Sequence, residues 1–392
     1  MNLESFLSES ARAIPPSAIR RFFDLANEMK GHVISLSIGE PDFVTPWSIR
    51  EAGIYSLEQG NTHYSPNQGF VRLREAIAGY MQNRFQMTFD PHSEVVVTVG
   101  GSEAIDLCVR SVINRGDEVI IPEPCFVAYK ACVQLAGGVA VSIPCRMEDG
   151  FKLMPEQLQA ALTPRTKLVM LGFPNNPTGA VMSREELDGL AAVLRDKPIL
   201  VLSDELYAEL TYEPAVHASI ASLDGMRERT VVISGFSKAF AMTGWRIGFA
   251  CGPAALIGTM NKIHQYAIMC SPTTAQDAAL EALNDSARHV AGMREEYNRR
   301  RRYVVQACQE AGLNCFEPLG AFYVFPDIRS AGLSSTEFCE RFLQEEKVAI
   351  VPGNAFGSCG EGFVRISYAA SMENIREAMQ RLKSFTARCI QK

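Results

Sequence analysis

An excess of basic residues is missing from this chain: 38 Lys and Arg against 44 Asp and Glu leave a net charge of −6 over 392 residues. Without that excess there is little to neutralise a phosphate backbone, which argues against a nucleic-acid partner. Long apolar runs are missing too. The longest, Glu94–Val99 and Lys167–Phe173, are too short to span a bilayer, so no membrane partner is expected. MNLESFLSES carries two acids before its first base and no apolar core, so a secretory signal is not expected and a cytoplasmic location is. The eleven cysteines are odd in number, scattered from Cys108 to Cys389 and without a CxxC pair, so they read as reduced thiols filling core space. The six histidines form no HxxxH or HExxH pair, and no metal is expected. Neither GxGxxG nor GxxxxGKS/T occurs, so a bound phosphate would belong to neither a dinucleotide nor a nucleoside triphosphate.

What is present is ordinary globular composition, 47% hydrophobic and 21% charged with 29 Gly and 20 Pro. A single core stops growing near ~250 to 300 residues, so this length predicts two domains with a cleft between them. From about residue 94 to 252, β-rich runs (EVVVTV, EVII, KLVMLGF, PILVLSDE, TVVISG, RIGFACG) alternate with helical stretches such as SEAIDLCVRSVIN and SREELDGLAAVLRD. That alternation predicts a mostly parallel α/β sheet covered on both faces. Ser183 followed by Glu186 is a capping box that starts one of the helices. After about residue 285 a long charged helix, GAFYVFPDI, a helix around Ser335–Lys347, VAIVPG, FVRISYA and a final helix predict a smaller α+β domain. The run Arg299–Arg302, flanked by Glu295, Glu296 and Glu310, reads as a solvated helix face. No repeat and no low-complexity linker interrupts the chain.

In open α/β sheets ligands bind beyond the carboxyl ends of the strands, and here those ends are polar. Val95–Val99 runs into Gly100-Gly101-Ser102-Glu103, Lys167–Phe173 into Pro174-Asn175-Asn176-Pro177-Thr178-Gly179, Ile199–Ser203 into Asp204-Glu205-Leu206-Tyr207, and Thr230–Ile233 into Ser234-Gly235-Phe236-Ser237-Lys238. Two glycines followed by a helix start could bind an anion, although plain turn chemistry uses the same residues. Lys238, ahead of Arg246, is either a solvated strand-end lysine or a desolvated amine whose pKa a nearby cation lowers, as a Schiff-base nucleophile needs. Asp204 is either a helix cap or the carboxylate that keeps a proton on a pyridine nitrogen. Tyr207 is either a core aromatic or a phenol directed at a ring hydroxyl.

Taken together, FSKAFAMTGWRIGF around Lys238, PNNPTG, SDELY, IGEPDF at 38–43 and FVRISYA at 363–369 resemble the class I/II aminotransferases of fold type I, over nearly the whole chain. The resemblance implies pyridoxal 5′-phosphate as cofactor and a large domain (46–284) built on a mostly parallel seven-stranded sheet. It implies a small domain made of 1–45 and 285–392. Carried over residue by residue, it implies that Lys238 forms the Schiff base, Asp204 pairs with the pyridine nitrogen, and Asn176 and Tyr207 contact the ring hydroxyl oxygen. Gly101, Ser102 and Glu103, by backbone and side chain, with Ser237 and Arg246, would hold the phosphate. Phe126 would stack on the ring, with Tyr129 as the fallback; Tyr64 would reach the phosphate of a second subunit, implying a homodimer. Arg365 would grip the substrate α-carboxylate, with Gly39 and Asn176 nearby.

Two departures from the family pattern stand out. The position three residues before the lysine, often a phosphate-binding serine, is Gly235, with Ser234 and Ser237 nearby. A second arginine for a side-chain carboxylate cannot be assigned, so the amino donor stays open among aromatic, alanine, aspartate and longer diamino acids. Ile14, Pro15 and Phe322 are candidate pocket positions. The expected activity is ping-pong transamination between an L-amino acid and a 2-oxo acid. The alternative is a carbon-sulfur β-lyase on the same motifs. A non-catalytic cofactor-sensing regulator is disfavoured, because the stretch before Ile38 is too short for a winged helix.

Overall fold

In the computed structural model, residues 3–16, 22, 24 and 33–390 are described. The central sheet is built from β2 (Val95–Thr98), β3 (Glu118–Glu123), β4 (Val139–Pro144), β5 (Thr166–Gly172), β6 (Leu200–Asp204), β7 (Thr230–Gly235) and β8 (Gly248–Cys251), in the order β2-β8-β7-β6-β5-β3-β4. Only β8 runs antiparallel to its neighbours, β2 and β7. The expected doubly covered α/β sheet is the one observed. Its seventh strand, β4, is an edge strand that follows the Gly137-Gly138 turn; its residues VAVSIP are largely apolar, yet mostly exposed or half-buried.

The side-chain period of two sorts each strand between two cores. Val96, Val119, Ile121, Leu168, Met170, Leu202, Val231 and Ile233 face the layer that contains α3 (Gly101–Val112), α4 (Ala128–Leu135) and α7 (Ala254–Ala267). Val95, Val97 and Val232 face the layer of α1 (Trp47–Glu58), α2 (Val71–Phe85) and α8 (Thr273–Asn284). Ile120, Val169, Leu171 and Val201 pack with α5 (Pro155–Ala161) and α6 (Arg184–Leu194). The predicted capping box is formed at α6: Ser183 Oγ accepts from Glu186 N and Glu186 Oε2 from Ser183 N.

The C-terminal layer contains α9 (Ser286–Glu310), α10 (Ser335–Glu346), α11 (Met372–Ile390) and short strands. β10 (Tyr323–Val324), β14 (Val364–Ser367) and β13 (Val351–Pro352) form one antiparallel sheet, β9 (Asn314–Cys315) pairs antiparallel with β11 (Pro326–Asp327), and β1 (Ile34–Ser35) pairs in parallel with β12 (Val348–Ala349). Its core of Val304, Phe322, Tyr323, Phe338, Phe342, Leu382 and Phe385 is continuous with Tyr207, Leu210 and Tyr212, which follow β6. The carboxyl ends of the central strands are thereby roofed by the C-terminal layer.

The arginine run departs from expectation. Arg299 is exposed, but Arg300 and Arg301 are buried, at 6% and 4%. The helical period places them on the same side of α9 as Tyr297 and Val304. Arg300 pairs with Asp42 and Glu296 at 2.8 Å each and lies over the rings of Phe43 and Tyr297. Arg301 pairs with Glu317. The run is thus half solvated face and half buried: Arg300 clamps the loop at 38–43, and Arg301 clamps the segment at 317–318.

Candidate active site

At the end of β2 the chain turns through Gly100, whose φ is +79°, straight into α3. A side chain at 100 is excluded twice, by that left-handed backbone and by Arg246, whose Nη2 lies 2.7 Å from where a Cβ would stand. Arg246 also has positive φ, +53°, a strained conformation for a residue with a side chain. Its guanidinium is therefore held against the open N-terminus of α3, where backbone N–H groups have no helical partner.

At the end of β6 the Asp204 carboxylate accepts from the Tyr129 hydroxyl at 2.7 Å and from Leu206 N at 3.2 Å. Burial raises its pKa, and those two donors oppose the rise. Tyr129 fits there because residue 172 is glycine: a Cβ would come within 2.5 Å of the phenol oxygen.

After β7, Lys238 Nζ donates to Gly39 O at 2.6 Å. Its pKa is lowered to about 8, mainly by burial; Glu40 opposes the shift, and the cations Arg365 and Arg246 reinforce it. Gly235 has no space for a side chain, since a Cβ would lie 2.9 Å from Gly248 Cα. That close strand contact explains the missing serine, while Ser237 lines the cavity.

After β5, the two asparagines divide. Asn175 Oδ1 accepts from Thr178 N and Oγ1 and builds the turn, whereas Asn176 Oδ1 accepts from Arg365 Nη1 at 2.9 Å. Arg365, on β14, is 1% exposed; its Nη2 donates to Ser37 O at 2.6 Å. The guanidinium is flanked by the rings of Tyr323 and Phe356, and its Nε has no partner among the described residues. Tyr207 and Tyr323 share a hydrogen bond of 2.8 Å.

These groups surround one cavity of about 430 Å³, lined by Gly39, Gly101, Ser102, Phe126, Asn176, Asp204, Tyr207, Ser237, Lys238, Arg246 and Arg365. Two expectations, the Glu103 side chain on the phosphate and the pocket positions Ile14, Pro15 and Phe322, are not met by this geometry. The Glu103 side chain turns away, accepting from Val99 N and pairing with His264 at 2.8 Å, because a carboxylate is drawn to a donor and not to an anion site. Tyr64, assigned by the resemblance to a second subunit's phosphate, is 81% exposed and lies outside this chain's own cavity. Phe322 is fully buried behind it, and Ile14 and Pro15 do not line it. Tyr323 and Glu40 line the cavity without having been singled out. Tyr323 belongs to the run GAFYVFPDI and Glu40 to IGEPDF, and neither run marks in sequence which side chain faces the cavity.

The cavity fits a phosphorylated pyridine aldehyde: an amine of lowered pKa, a carboxylate for the ring nitrogen, an aromatic wall, and a helix start beside a guanidinium. Residues 31–382 match the family model for aminotransferase class I and II. The aspartate aminotransferase of Pyrococcus abyssi is 45% identical over 96% of this chain and 97% of its own. Aromatic-amino-acid aminotransferase 2 of Thermococcus litoralis is 44% identical over 96% and 97%. The solved aspartate aminotransferase of Thermus thermophilus with maleate superposes with a TM-score of 0.93 at 39% identity, over 97% of this chain and 99% of that one. Fold, cavity and relatives agree: the chain belongs to the class I and II aminotransferases and is a pyridoxal-phosphate-dependent transaminase acting on amino and 2-oxo acids.

Proposed function

We propose that Lys238 carries the pyridoxal phosphate and that an α-amino acid is held above it by Arg365. The observation that carries this reading is the setting of one amine: Lys238 Nζ, with its pKa near 8, between Asp204, Arg246 and Arg365. The N–H groups at Gly101 and Ser102, the Ser102 and Ser237 hydroxyls and Arg246 suit the phosphate. Asp204 suits the ring nitrogen, Asn176 and Tyr207 the ring hydroxyl oxygen, and Phe126 the ring face. When bound, the cofactor supplies an electron sink for the charge left on Cα after deprotonation.

The protein's own groups do the rest. Arg365 takes the α-carboxylate in a charge-assisted fork; Asn176 Oδ1 and Ser37 O accept from its Nη1 and Nη2 and hold the guanidinium in place. Lys238 Nζ, its pKa lowered to about 8 by burial, takes the Cα proton as a general base, an effect worth about 10²- to 10⁴-fold. Asp204 keeps a negative charge opposite the ring nitrogen, supported by Tyr129. The same cavity serves amino acid and 2-oxo acid in alternate half-reactions, which is ping-pong behaviour.

The active unit is read as a homodimer. Asn67 Nδ2 donates to Met269 O, which brings the loop around Tyr64 beside Tyr266, and Trp47, Tyr55, Tyr64 and Tyr266 are all more than half exposed. An apolar face of this kind suits a second copy, and Tyr64 could then reach the other subunit's cavity. The division into 46–284 and 1–45 with 285–392 is kept as the proposed domain organisation. Among the described residues no helix is long and apolar enough to cross a membrane; eight buried cysteines, set in the core as small apolar side chains, support a reducing, cytoplasmic setting.

A panel of amino donors against 2-oxoglutarate tests the reading. Formation of the matching 2-oxo acid with a strict need for the acceptor is expected. Pyruvate and ammonia from cystathionine without an acceptor would instead identify a β-lyase.

A further inference from the structure

A helix normally begins with a side chain that caps its first N–H groups, and a Glu at the third helical position reaches back to complete the box. Helix α3 has only half of that device. Its N-cap is Gly100, which has no side chain to offer, yet Glu103, three residues on, still turns back and accepts from Val99 N, one residue before the cap. The consequence is specific: the turn at 99–101 is tied down while the N–H groups at the start of the helix are left unspent.

The second half of the arrangement comes from α7. His264, fully buried in the last turn of that helix, holds the other Glu103 oxygen through Nδ1 at 2.8 Å. Its Nε2 is buried with no partner among the described residues. The tautomer with the proton on Nδ1 leaves only a lone pair unmatched there, and so makes His264 a donor to Glu103. The ring thus fixes the carboxylate, the carboxylate fixes Val99, and Val99 leads into the turn against which Arg246 is packed.

We infer that Glu103 and His264 are positioning residues for the phosphate end of the cofactor: they hold the Val99–Gly101 turn in its anion-binding form without touching the anion. This rests on the cavity being the pyridoxal phosphate site, and it replaces the direct phosphate contact expected of the Glu103 side chain.

The test compares two probes on the full-length protein stripped of cofactor, pyridoxal 5′-phosphate and pyridoxal, which lacks the phosphate. Glu103→Ala is expected to weaken pyridoxal phosphate by about tenfold, the affinity equivalent of a lost helix cap, while pyridoxal binding stays within about twofold. Glu103→Gln, which keeps an acceptor for Val99 N, should stay close to the parent. His264→Leu, which leaves Glu103 in place but without its donor, should fall between them and gives the same ratio if Glu103→Ala does not fold. Equal losses for both probes, or no loss for pyridoxal phosphate, would overturn the inference. Failure of the parent protein to bind pyridoxal phosphate on Lys238 would overturn the site assignment instead, and the two failures are distinct.

Discussion

The Tyr129 hydroxyl donates to Asp204 Oδ2 at 2.7 Å, in a space that exists only because residue 172 is glycine. The bond stabilises the charged carboxylate against the burial that raises its pKa. Tyr129→Phe removes the donor and keeps the ring. It is expected to slow Cα proton removal by about tenfold, as loss of a hydrogen bond to a charged group would, with KM little changed. The primary isotope effect with Cα-deuterated amino acid reads this directly. A rise in KM alone would mean that Tyr129 only shapes the substrate pocket.

Lys238 gives a pH prediction. An ordinary lysine ammonium loses its proton near ~10.4, whereas this one does so near 8, so above that pH it is a free amine while surface lysines are still charged. In cofactor-free protein, covalent capture of pyridoxal phosphate at Lys238 should accelerate as pH rises and level off just above 8. A midpoint near 10 would show that burial does not perturb it. Lys238→Ala should abolish turnover and leave nothing for borohydride to trap.

Arg365 is buried and fully oriented before any substrate arrives, through Asn176 and Ser37. Arg365→Ala should raise KM by about 10- to 150-fold, the range for a lost charge-assisted pair. Arg365→Lys keeps the charge without the fork and should recover only part of that. An unchanged KM in steady-state assays would remove the carboxylate role.

The pair Arg300–Asp42 makes a stability prediction away from the chemistry. Arg300→Ala leaves Asp42 without this partner; breaking a fully buried pair costs about 3 to 5 kcal/mol, and the cost is smaller here because the Asp42 side chain is 26% exposed. A fall in the denaturation midpoint larger than that of Arg299→Ala is expected, because Arg299 is exposed. Equal, small changes would return the whole run to a solvated face.

The sheet was legible in advance because its strands are short, apolar and alternate with helices; only β4, an edge strand with half its residues in solvent, escaped. The reactive groups were legible because each follows a strand: Asp204 after β6, Lys238 after β7, Asn176 after β5. Side-chain direction was not. Glu103 lies beside Ser102 in sequence and yet points to His264, which is 161 residues away. The arginine run misled for a similar reason: composition counts four cations, but the helical period buries two of them.

Local sequence determined which residues stand at the carboxyl edge of the sheet, since apolar periodicity and turn chemistry act within a few residues. The tertiary structure decided how those residues are charged and aimed. Burial, the close packing at Gly172 and Gly235, and the roof carrying Tyr323 and Arg365 come from contacts between separate elements, up to 189 residues apart for Asn176 and Arg365, and desolvation and hydrogen-bond geometry depend on those contacts.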